Sequence, residues 1–251
     1  MKRSMKVFVF VLVALVVSQG VFGIRLWRAA HAIPRAAPIM ASAPALYLAQ
    51  EAGDWNNMFL GVPLLQFPND LMTYQRLLFD VKPDIVIETG TFRGGLTLYL
   101  AMLLENINDQ GRVLTVDIDD TGIKAVLAAS SIRASLKDRI RFFGGSSTDA
   151  KIVEQIEALA KGKKVIVILD SLHEREHVRK ELDLYAGFVQ AGGYIVVNDT
   201  HLEGTRWLPP GDPGPAGAVS EFLTAHSEFK VTRSQPDFLV SCFRAGLLVR
   251  L

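Results

Sequence analysis

Oxygen-bearing side chains follow two neighbouring apolar runs in the second half of the chain. Asp170 comes directly after residues 165–169 (VIVIL), and Asn198 and Asp199 come directly after residues 194–197 (YIVV). Burying carboxylates without a compensating charge is costly, so a divalent cation held by Asp170, Asn198 and Asp199 would account for the pattern. Oxygen ligands favour Mg²⁺, and Mn²⁺ would fit as well. Helix caps and internal hydrogen bonds are the alternative that the sequence leaves open.

Two histidines lie beside these oxygen clusters. His173 follows Asp170 closely in the chain, and His201 follows Asp199. A histidine side chain titrates near neutral pH and can take a proton from a hydroxyl group. We therefore predict that Asp170, His173 and His201 form the catalytic set, with one of the two histidines as the general base. A purely structural role for each histidine is the alternative.

A glycine-rich turn ends an earlier apolar run. The segment from Glu88 reads ETGTFRGG and places glycines at Gly90 and Gly94. Glycine lets the backbone approach a ligand closely, but a dinucleotide fingerprint would have glycine where Glu88 stands. A carboxylate there would repel a diphosphate and would suit the ammonium group of an amino-acid moiety. The turn therefore favours S-adenosylmethionine (SAM) over NAD, and an ordinary strand-to-helix turn is the plainer alternative.

Residues at the ends of two further apolar runs complete a predicted nucleoside site. Asp117 lies in the run at residues 113–118 (VLTVDI) and, at the end of a second strand, would hydrogen-bond the ribose hydroxyls. Ser146, in the segment GGSSTD, offers a hydroxyl that would lie beside the adenine. Helix capping is the open alternative for both. The predicted cofactor-binding residues are therefore Glu88, Gly90, Gly94, Asp117, Ser146 and Asp170.

The scaffold that must position these residues alternates apolar strands with helices. The short runs are 85–87, 113–118, 140–143, 165–169 and 194–197, and the helix-length stretches between and after them are 96–105, 150–159, 177–189 and 218–223. This alternation is typical of a parallel sheet covered on both faces, with ligands bound at the carboxyl ends of its strands. Residues 238–243 and 247–250 indicate a closing antiparallel hairpin.

Composition excludes several classes of protein. The 251 residues are 49% hydrophobic and 21% charged, with a formal net charge of +1. These values exclude a disordered chain and a broad electrostatic attraction to nucleic acid. The single cysteine, Cys242, excludes an internal disulfide framework and a zinc site built from several cysteines.

The N-terminal segment is strongly apolar. Residues 7–24 carry no charge, and a helix that crosses a bilayer needs about 20 apolar residues. We therefore predict a single-pass membrane anchor within residues 1–28, with a cleaved signal peptide as the alternative. An Ala- and Pro-rich linker at 29–45 and one α/β domain at 46–251 would follow. Because SAM is made in the cytosol, we expect this domain to be cytoplasmic.

Six motifs occur in a fixed order along this domain. They are Glu88-x-Gly90-x-x-x-Gly94-Gly95, Val116-Asp117-Ile118, Gly145-Ser146-Ser147, Leu169-Asp170-Ser171-x-His173, Val196-Val197-Asn198-Asp199-Thr200 and Gly214-Pro215-x-x-Ala218. Over residues 56–251 this set resembles the cephalosporin hydroxylase family, which includes the rhamnosyl O-methyltransferases of glycolipid assembly.

The resemblance implies a Rossmann-like methyltransferase fold that uses SAM and Mg²⁺. It implies that the cofactor lies at Glu88, Gly90 and Asp117, and that the metal ligands are Asp170 and the pair Asn198-Asp199. The family pattern has Glu-Asp at this pair, so this chain has a less negative site.

The predicted reaction is methyl transfer from SAM to a hydroxyl of a sugar, a glycolipid or a secondary metabolite. The predicted partners are therefore a small-molecule or glycolipid acceptor and, through the N-terminal segment, a membrane, but no nucleic acid. The sequence leaves open whether the chain forms a homo-oligomer. Residues 56–67 and 203–216 would shape the acceptor pocket. Two other functions also stay open: a non-catalytic nucleoside-binding partner subunit, and an NAD-dependent oxidoreductase, against which Glu88 argues.

Overall fold

Five apolar runs form the parallel part of a seven-stranded sheet. The computed structural model describes residues 57–233, 241–243 and 245–251. Its strands are β1 (Met58–Phe59), β2 (Val62–Pro63), β3 (Ile85–Thr89), β4 (Arg112–Asp117), β5 (Ile140–Gly144), β6 (Val165–Leu169), β7 (Tyr194–Val197), β8 (Phe229–Val231) and β9 (Leu247–Arg250). The large sheet has the order β5-β4-β3-β6-β7-β9-β8, and β1 and β2 form a separate hairpin.

Helices cover both faces of this sheet. They are α1 (Pro68–Val81), α2 (Gly95–Ile107), α3 (Thr121–Ala128), α4 (Ala134–Lys137), α5 (Ala150–Ala160), α6 (Arg175–Tyr185) and α7 (Gly214–Ala225), with a 3₁₀ turn at Ala186–Phe188. Alternate residues of β6 point to opposite faces: Val167 packs with α5, α6 and α7, whereas Ile166 and Ile168 pack with α1 and α2. The predicted parallel sheet covered on both faces is confirmed.

The strand order reverses between β3 and β6. From β3 the chain continues to β4 and β5 on one side, and then returns to β6 and β7 on the other side of β3. All neighbouring pairs among these five strands are parallel. Ligands of open α/β sheets bind at such a reversal, beyond the carboxyl ends of the strands. The topology therefore brings the ends of β3 and β6 together where a site is expected.

The closing hairpin is antiparallel as predicted, but one of its strands was placed wrongly. Strand β9 pairs with β8 on one side and with β7 on the other. Residues 241–243 form a turn, while 234–240 and 244 lie outside the described residues. The Cys242 N–H donates to the Asp70 carboxylate, and the Cys242 carbonyl accepts from the Thr200 N–H. These backbone groups are therefore not available to a sheet.

Helix α1 precedes the alternating pattern and is not predicted by it. Pro68 stands in its first turn, where a missing N–H costs no helix hydrogen bond. Tyr74, Leu77 and Leu78 form its buried face, at the spacing of an amphipathic helix. The helix ends at Lys82, whose φ of 51° is left-handed and whose N–H donates to the Leu78 carbonyl. This buried face packs on the side of the sheet that includes Ile166, Ile168 and Val196.

The predicted membrane location is contradicted by the structure. Within the described ranges, no helix combines the length and the apolar character needed to cross a bilayer. The segment at 7–24, on which that prediction was based, lies outside the described residues, as does the linker at 29–45.

Candidate active site

The turn after β3 comes into backbone contact with the end of β6. Gly90 has a φ of 85°, and a Cβ atom built on it would lie 2.0 Å from the carbonyl oxygen of Asp170. Any other residue at position 90 would therefore collide with backbone as well as strain its own conformation. Gly94, with a φ of 81°, precedes the first turn of α2. Gly90 is thus required by close packing at the strand reversal, whereas the Cβ position of Gly94 faces the Val126 side chain on α3.

Asp117 holds this turn from the neighbouring strand. Its Oδ2 accepts a hydrogen bond from the Phe92 N–H at 2.8 Å, and its Oδ1 accepts one from the Asp119 N–H at 3.0 Å. Phe92 itself adopts a left-handed φ of 48°. A carboxylate has about four acceptor sites, so Asp117 keeps capacity for ribose hydroxyls. The structure therefore brings Asp117 together with Gly90 and Gly94.

Glu88 lies beneath the turn rather than on its surface. The residue is fully buried, and its Oε2 accepts hydrogen bonds from the hydroxyls of Thr97 at 2.5 Å and Thr115 at 2.6 Å. Burial raises the pKa of Glu88 to about 7, against the lowering effect of the two hydroxyls. Its Oε1 accepts no hydrogen bond within the described part of the chain. A direct contact between Glu88 and a cofactor stays a prediction.

Ser146 lies after β5, next to a polar network that the motifs did not predict. The Ser146 hydroxyl is 3.1 Å from that of Thr148 and is partly exposed. Beside it, the hydroxyls of Ser147 and Ser171 each lie 3.1 Å from Nε2 of His177. Ser171 also donates to the fully buried carboxylate of Glu181 at 2.8 Å. This network, formed by Ser147, Ser171, His177 and Glu181, links the ends of β5 and β6.

Asp170 and Asp199 lie close together with His173. One potential ligand atom from each of the three residues lies within 4.8 Å of the others. His173 Nε2 is 3.1 Å from Asp199 Oδ2. Burial, followed by the charge of Asp199, raises the pKa of Asp170 well above its ordinary value. Ionisation of both carboxylates is therefore unfavourable in this cluster, and a bound cation would favour it.

Asn198 is the buried member of the predicted metal set. It is 1% exposed, and its Oδ1 accepts a hydrogen bond of 2.9 Å from the hydroxyl of Tyr74 on α1. Its Nδ2 makes no hydrogen bond within the described part of the chain. Asp199 has a left-handed φ of 58°, which an aspartate tolerates better than most residues. The predicted ligands Asp170, Asn198 and Asp199 are thus neighbours at the ends of β6 and β7.

The two predicted histidines lie in different environments. His173 has a side chain that is 30% exposed and pairs with Asp199, whereas His201 Nδ1 lies 3.9 Å from Asp199 and 3.3 Å from the Cys242 carbonyl oxygen. Burial lowers the pKa of His201. Asp199, His201 and Cys242 also form a cluster of potential ligands. Burial raises the pKa of the Cys242 thiol well above its ordinary value, which disfavours the thiolate that a metal would need.

Comparison with known proteins settles the family. Residues 54–251 match the family model described as Rhamnosyl O-methyltransferase/CmcI. The chain belongs to this family. It is 34% identical over 166 residues to the rhamnosyl O-methyltransferase of Mycobacterium tuberculosis H37Rv, an alignment that covers 65% of each chain. It is 32% identical over 171 residues to the Mycobacterium leprae protein of the same name, covering 67% of this chain and 71% of that one.

Solved structures of methyltransferases have the same fold as this family member. CmcI with Mg and SAM is 17% identical, with a TM-score of 0.56, and the match covers 78% of this chain and 77% of CmcI. An O-methyltransferase from Bacillus cereus in complex with SAH is also 17% identical, with a TM-score of 0.52 over 91% of this chain and 97% of that one. The predicted Rossmann-like methyltransferase fold and the predicted family are both confirmed.

Proposed function

We propose that this chain is a SAM-dependent O-methyltransferase with a Mg²⁺ site at Asp170, Asn198 and Asp199. The observation that carries the proposal is the cluster of Asp170, His173 and Asp199 beside the glycine turn, at the strand reversal where ligands bind. The relatives in the same family are named rhamnosyl O-methyltransferases, although the chain spans only 65% of the length of the M. tuberculosis protein.

The cofactor side of the site, defined as the turn at residues 90–94 with Asp117 and Ser146, fits SAM. The missing Cβ of Gly90 keeps the turn closely packed on β6, and Asp117 retains acceptor capacity for a ribose. When bound, SAM supplies an electrophilic methyl group on a sulfonium. On this account, Asp117 and Ser146 hold the nucleoside, and the Gly90–Gly94 turn fits against the amino-acid part.

The metal side of the site, defined as Asp170, Asn198 and Asp199, fits a hard divalent cation. All three offer oxygen atoms, and two are carboxylates that lie close together. Asn198 keeps its oxygen while bringing no charge. When bound, Mg²⁺ supplies a positive charge that lowers the pKa of the acceptor hydroxyl. The mutual repulsion of Asp170 and Asp199 is the property that such a charge would offset.

His173 is the residue that we assign as general base. Its Nε2 lies 3.1 Å from Asp199 Oδ2, so a neutral ring that donates from Nε2 keeps Nδ1 free to accept a proton. Asp199 would then stabilise the imidazolium that forms, and would fix the orientation of the ring. His201 is more buried and lies against the turn at Cys242, which fits a positioning role.

The acceptor that we propose is a hydroxyl of a sugar, free or within a glycolipid or a secondary metabolite. The names of the family relatives support this class. The sugar ring would lie near His173, under the segment that leads into α7. This segment is fixed to the start of α6, because the Arg175 N–H donates to the Asp212 side chain at 3.2 Å.

The test combines binding and turnover. Isothermal titration with SAM in the presence of Mg²⁺ is expected to show saturable binding, and labelled SAM is expected to methylate members of a panel of rhamnosylated acceptors. Asp170→Ala is expected to lower turnover at least about 100-fold. Asp109→Ala is the matched control and is expected to keep full activity, because Asp109 is exposed and precedes β4, at the amino ends of the parallel strands.

Two results would contradict the proposal. A wild-type chain that does not bind SAM cannot be the proposed enzyme. Full turnover by Asp170→Ala would show that the metal side takes no part in the reaction. A chain that binds SAM and methylates no acceptor would instead support a non-catalytic nucleoside-binding partner.

A further inference from the structure

A segment outside the alternating core contacts the ends of both strands of the metal side. Gln66, just before α1, donates from Nε2 to Asp170 Oδ2 at 2.9 Å. Tyr74, within α1, donates from its hydroxyl to Asn198 Oδ1 at 2.9 Å. Gln66 is 5% exposed and Tyr74 is fully buried. Each residue therefore makes a protected hydrogen bond to one of the proposed metal ligands.

The contact from Tyr74 fixes how the Asn198 amide is turned. An amide side chain can rotate to exchange its oxygen and nitrogen, and only the oxygen binds a cation. The Tyr74 hydroxyl donates to that oxygen, which has a second lone pair for another partner.

The contact from Gln66 restrains the Asp170 carboxylate in the same way. The Gln66 amide occupies one side of Oδ2 and leaves Oδ1 for other partners. Asp170 follows β6 at a position whose side chain faces α1, on the same face of the sheet as Ile166 and Ile168. Gln66 and Tyr74 thus approach from the face that the two ligands share.

We propose that Gln66 and Tyr74 are positioning residues that orient Asp170 and Asn198 for a divalent cation. The inference rests on the proposed metal site and adds to it a part of the chain that no motif includes. Groups that hydrogen-bond metal ligands in this way are worth about 10- to 100-fold in metal affinity. A tyrosine that only filled space in the core would not affect that affinity when its hydroxyl alone was removed.

The structure offers a matched control for Tyr74. Tyr185 on α6 is also fully buried, and its hydroxyl donates to the Ser147 carbonyl at 2.7 Å on the other face of the sheet. Tyr74→Phe and Tyr185→Phe each remove one buried hydroxyl and one hydrogen bond. Both are expected to lower the denaturant midpoint to a similar extent, because each loses a comparable contact.

The experiment measures Mn²⁺ affinity of the full-length chain without acceptor, by the electron paramagnetic resonance signal of free Mn²⁺. Tyr74→Phe is expected to weaken Mn²⁺ binding about 10- to 100-fold, and Gln66→Met to weaken it in the same direction. Tyr185→Phe is expected to bind Mn²⁺ like the wild type. If Tyr74→Phe does not fold, the Mn²⁺ affinity of Gln66→Met alone tests the proposal.

The outcomes separate this inference from the function on which it rests. Wild-type Mn²⁺ affinity in both Tyr74→Phe and Gln66→Met would overturn the positioning role and leave the metal site intact. An equal loss of affinity in Tyr185→Phe would also overturn it, because the effect would then be one of general packing. A wild-type chain that binds no Mn²⁺ would overturn the metal site and the inference together.

Discussion

The cofactor side and the metal side of the site are built from different parts of the chain. The cofactor side is made of backbone and of residues at the ends of three adjacent strands, β3, β4 and β5, with the Phe92 N–H donating to Asp117. The metal side consists of side chains whose partners come from distant segments: Tyr74 is 124 residues from Asn198, and Gln66 is 104 residues from Asp170. One side therefore depends on close backbone packing, and the other on the orientation of side chains.

The two sides also differ in how they place charge. Asp170 and Asp199 lie together on the metal side, and Asp70 lies nearby, where burial raises its pKa to about 6. On the cofactor side, the fully buried carboxylate is Glu88, which two hydroxyls hold away from the surface. We therefore expect side-chain changes on the metal side to impair chemistry, and changes beneath the cofactor side to alter stability.

Removal of the base on the metal side is expected to impair the chain most. His173→Ala is expected to lower kcat about 10²- to 10⁴-fold, which is the usual contribution of a general base. His201→Ala is the matched control and is expected to lower kcat less than about 10-fold, because His201 is buried against the Cys242 turn. Steady-state kinetics of both variants measures this. A larger loss of kcat in His201→Ala than in His173→Ala would indicate that His201 is the base.

A backbone change on the cofactor side is expected to affect stability most. In Gly90→Ala the new Cβ would lie 2.0 Å from a backbone oxygen, so we expect a loss of about 3 kcal/mol or more of unfolding free energy. Gly162→Ala is the control, because Gly162 also has a positive φ, of 72°, but has open space around its Cβ position. Its expected cost is about 1–2 kcal/mol. Urea denaturation compares the two, and equal losses would mean that Gly90 is not needed for close packing.

A weaker effect is expected beneath the cofactor side, where Glu88 makes the free energy of unfolding depend on pH. Because the pKa of Glu88 is raised to about 7 from 4.5, the folded chain holds this proton to higher pH than the unfolded chain does. The stabilisation is therefore full below about pH 4.5 and is lost as the pH rises through 7, a change of somewhat more than about 3 kcal/mol over the whole range.

Glu88→Gln tests this pH dependence. The variant is expected to lose about 2–3 kcal/mol less unfolding free energy between pH 5 and pH 8 than the wild type. Asp70, whose raised pKa acts in the same direction, is unchanged in both chains and cancels in the comparison. Denaturant titrations at the two pH values measure it. Identical pH profiles would show that Glu88 is already ionised across this range.

The parallel strands and the positions of the site residues were predictable because local runs encode them. Strands β6 and β7 have the bounds that their apolar runs predict, and Asp170 and Asn198 follow them directly. The burial of Glu88 follows from the same alternation, because it shares a face with Val86, which packs towards α1 and α2. The alternation of faces along β3 could therefore have predicted that the Glu88 side chain lies on the face covered by α1 and α2.

The parts that were not predicted depend on contacts between distant residues. Nothing in the local pattern at Gln66 and Tyr74 indicates that they reach the ends of β6 and β7. The apolar run at 238–243 has the composition of a strand, yet Cys242 binds Asp70 and Thr200 through its backbone. Tertiary hydrogen bonds thus override local propensity at this turn.

We propose that a divalent cation binds between the ends of β6 and β7. A crystal structure of the chain with Mn²⁺ and S-adenosylhomocysteine, with the ion located by its anomalous scattering, tests it most directly. We predict a single peak about 2.0–2.3 Å from side-chain oxygens of Asp170, Asn198 and Asp199. A peak between His201 and the Cys242 thiol, or no peak near Asp170, would contradict this cation site.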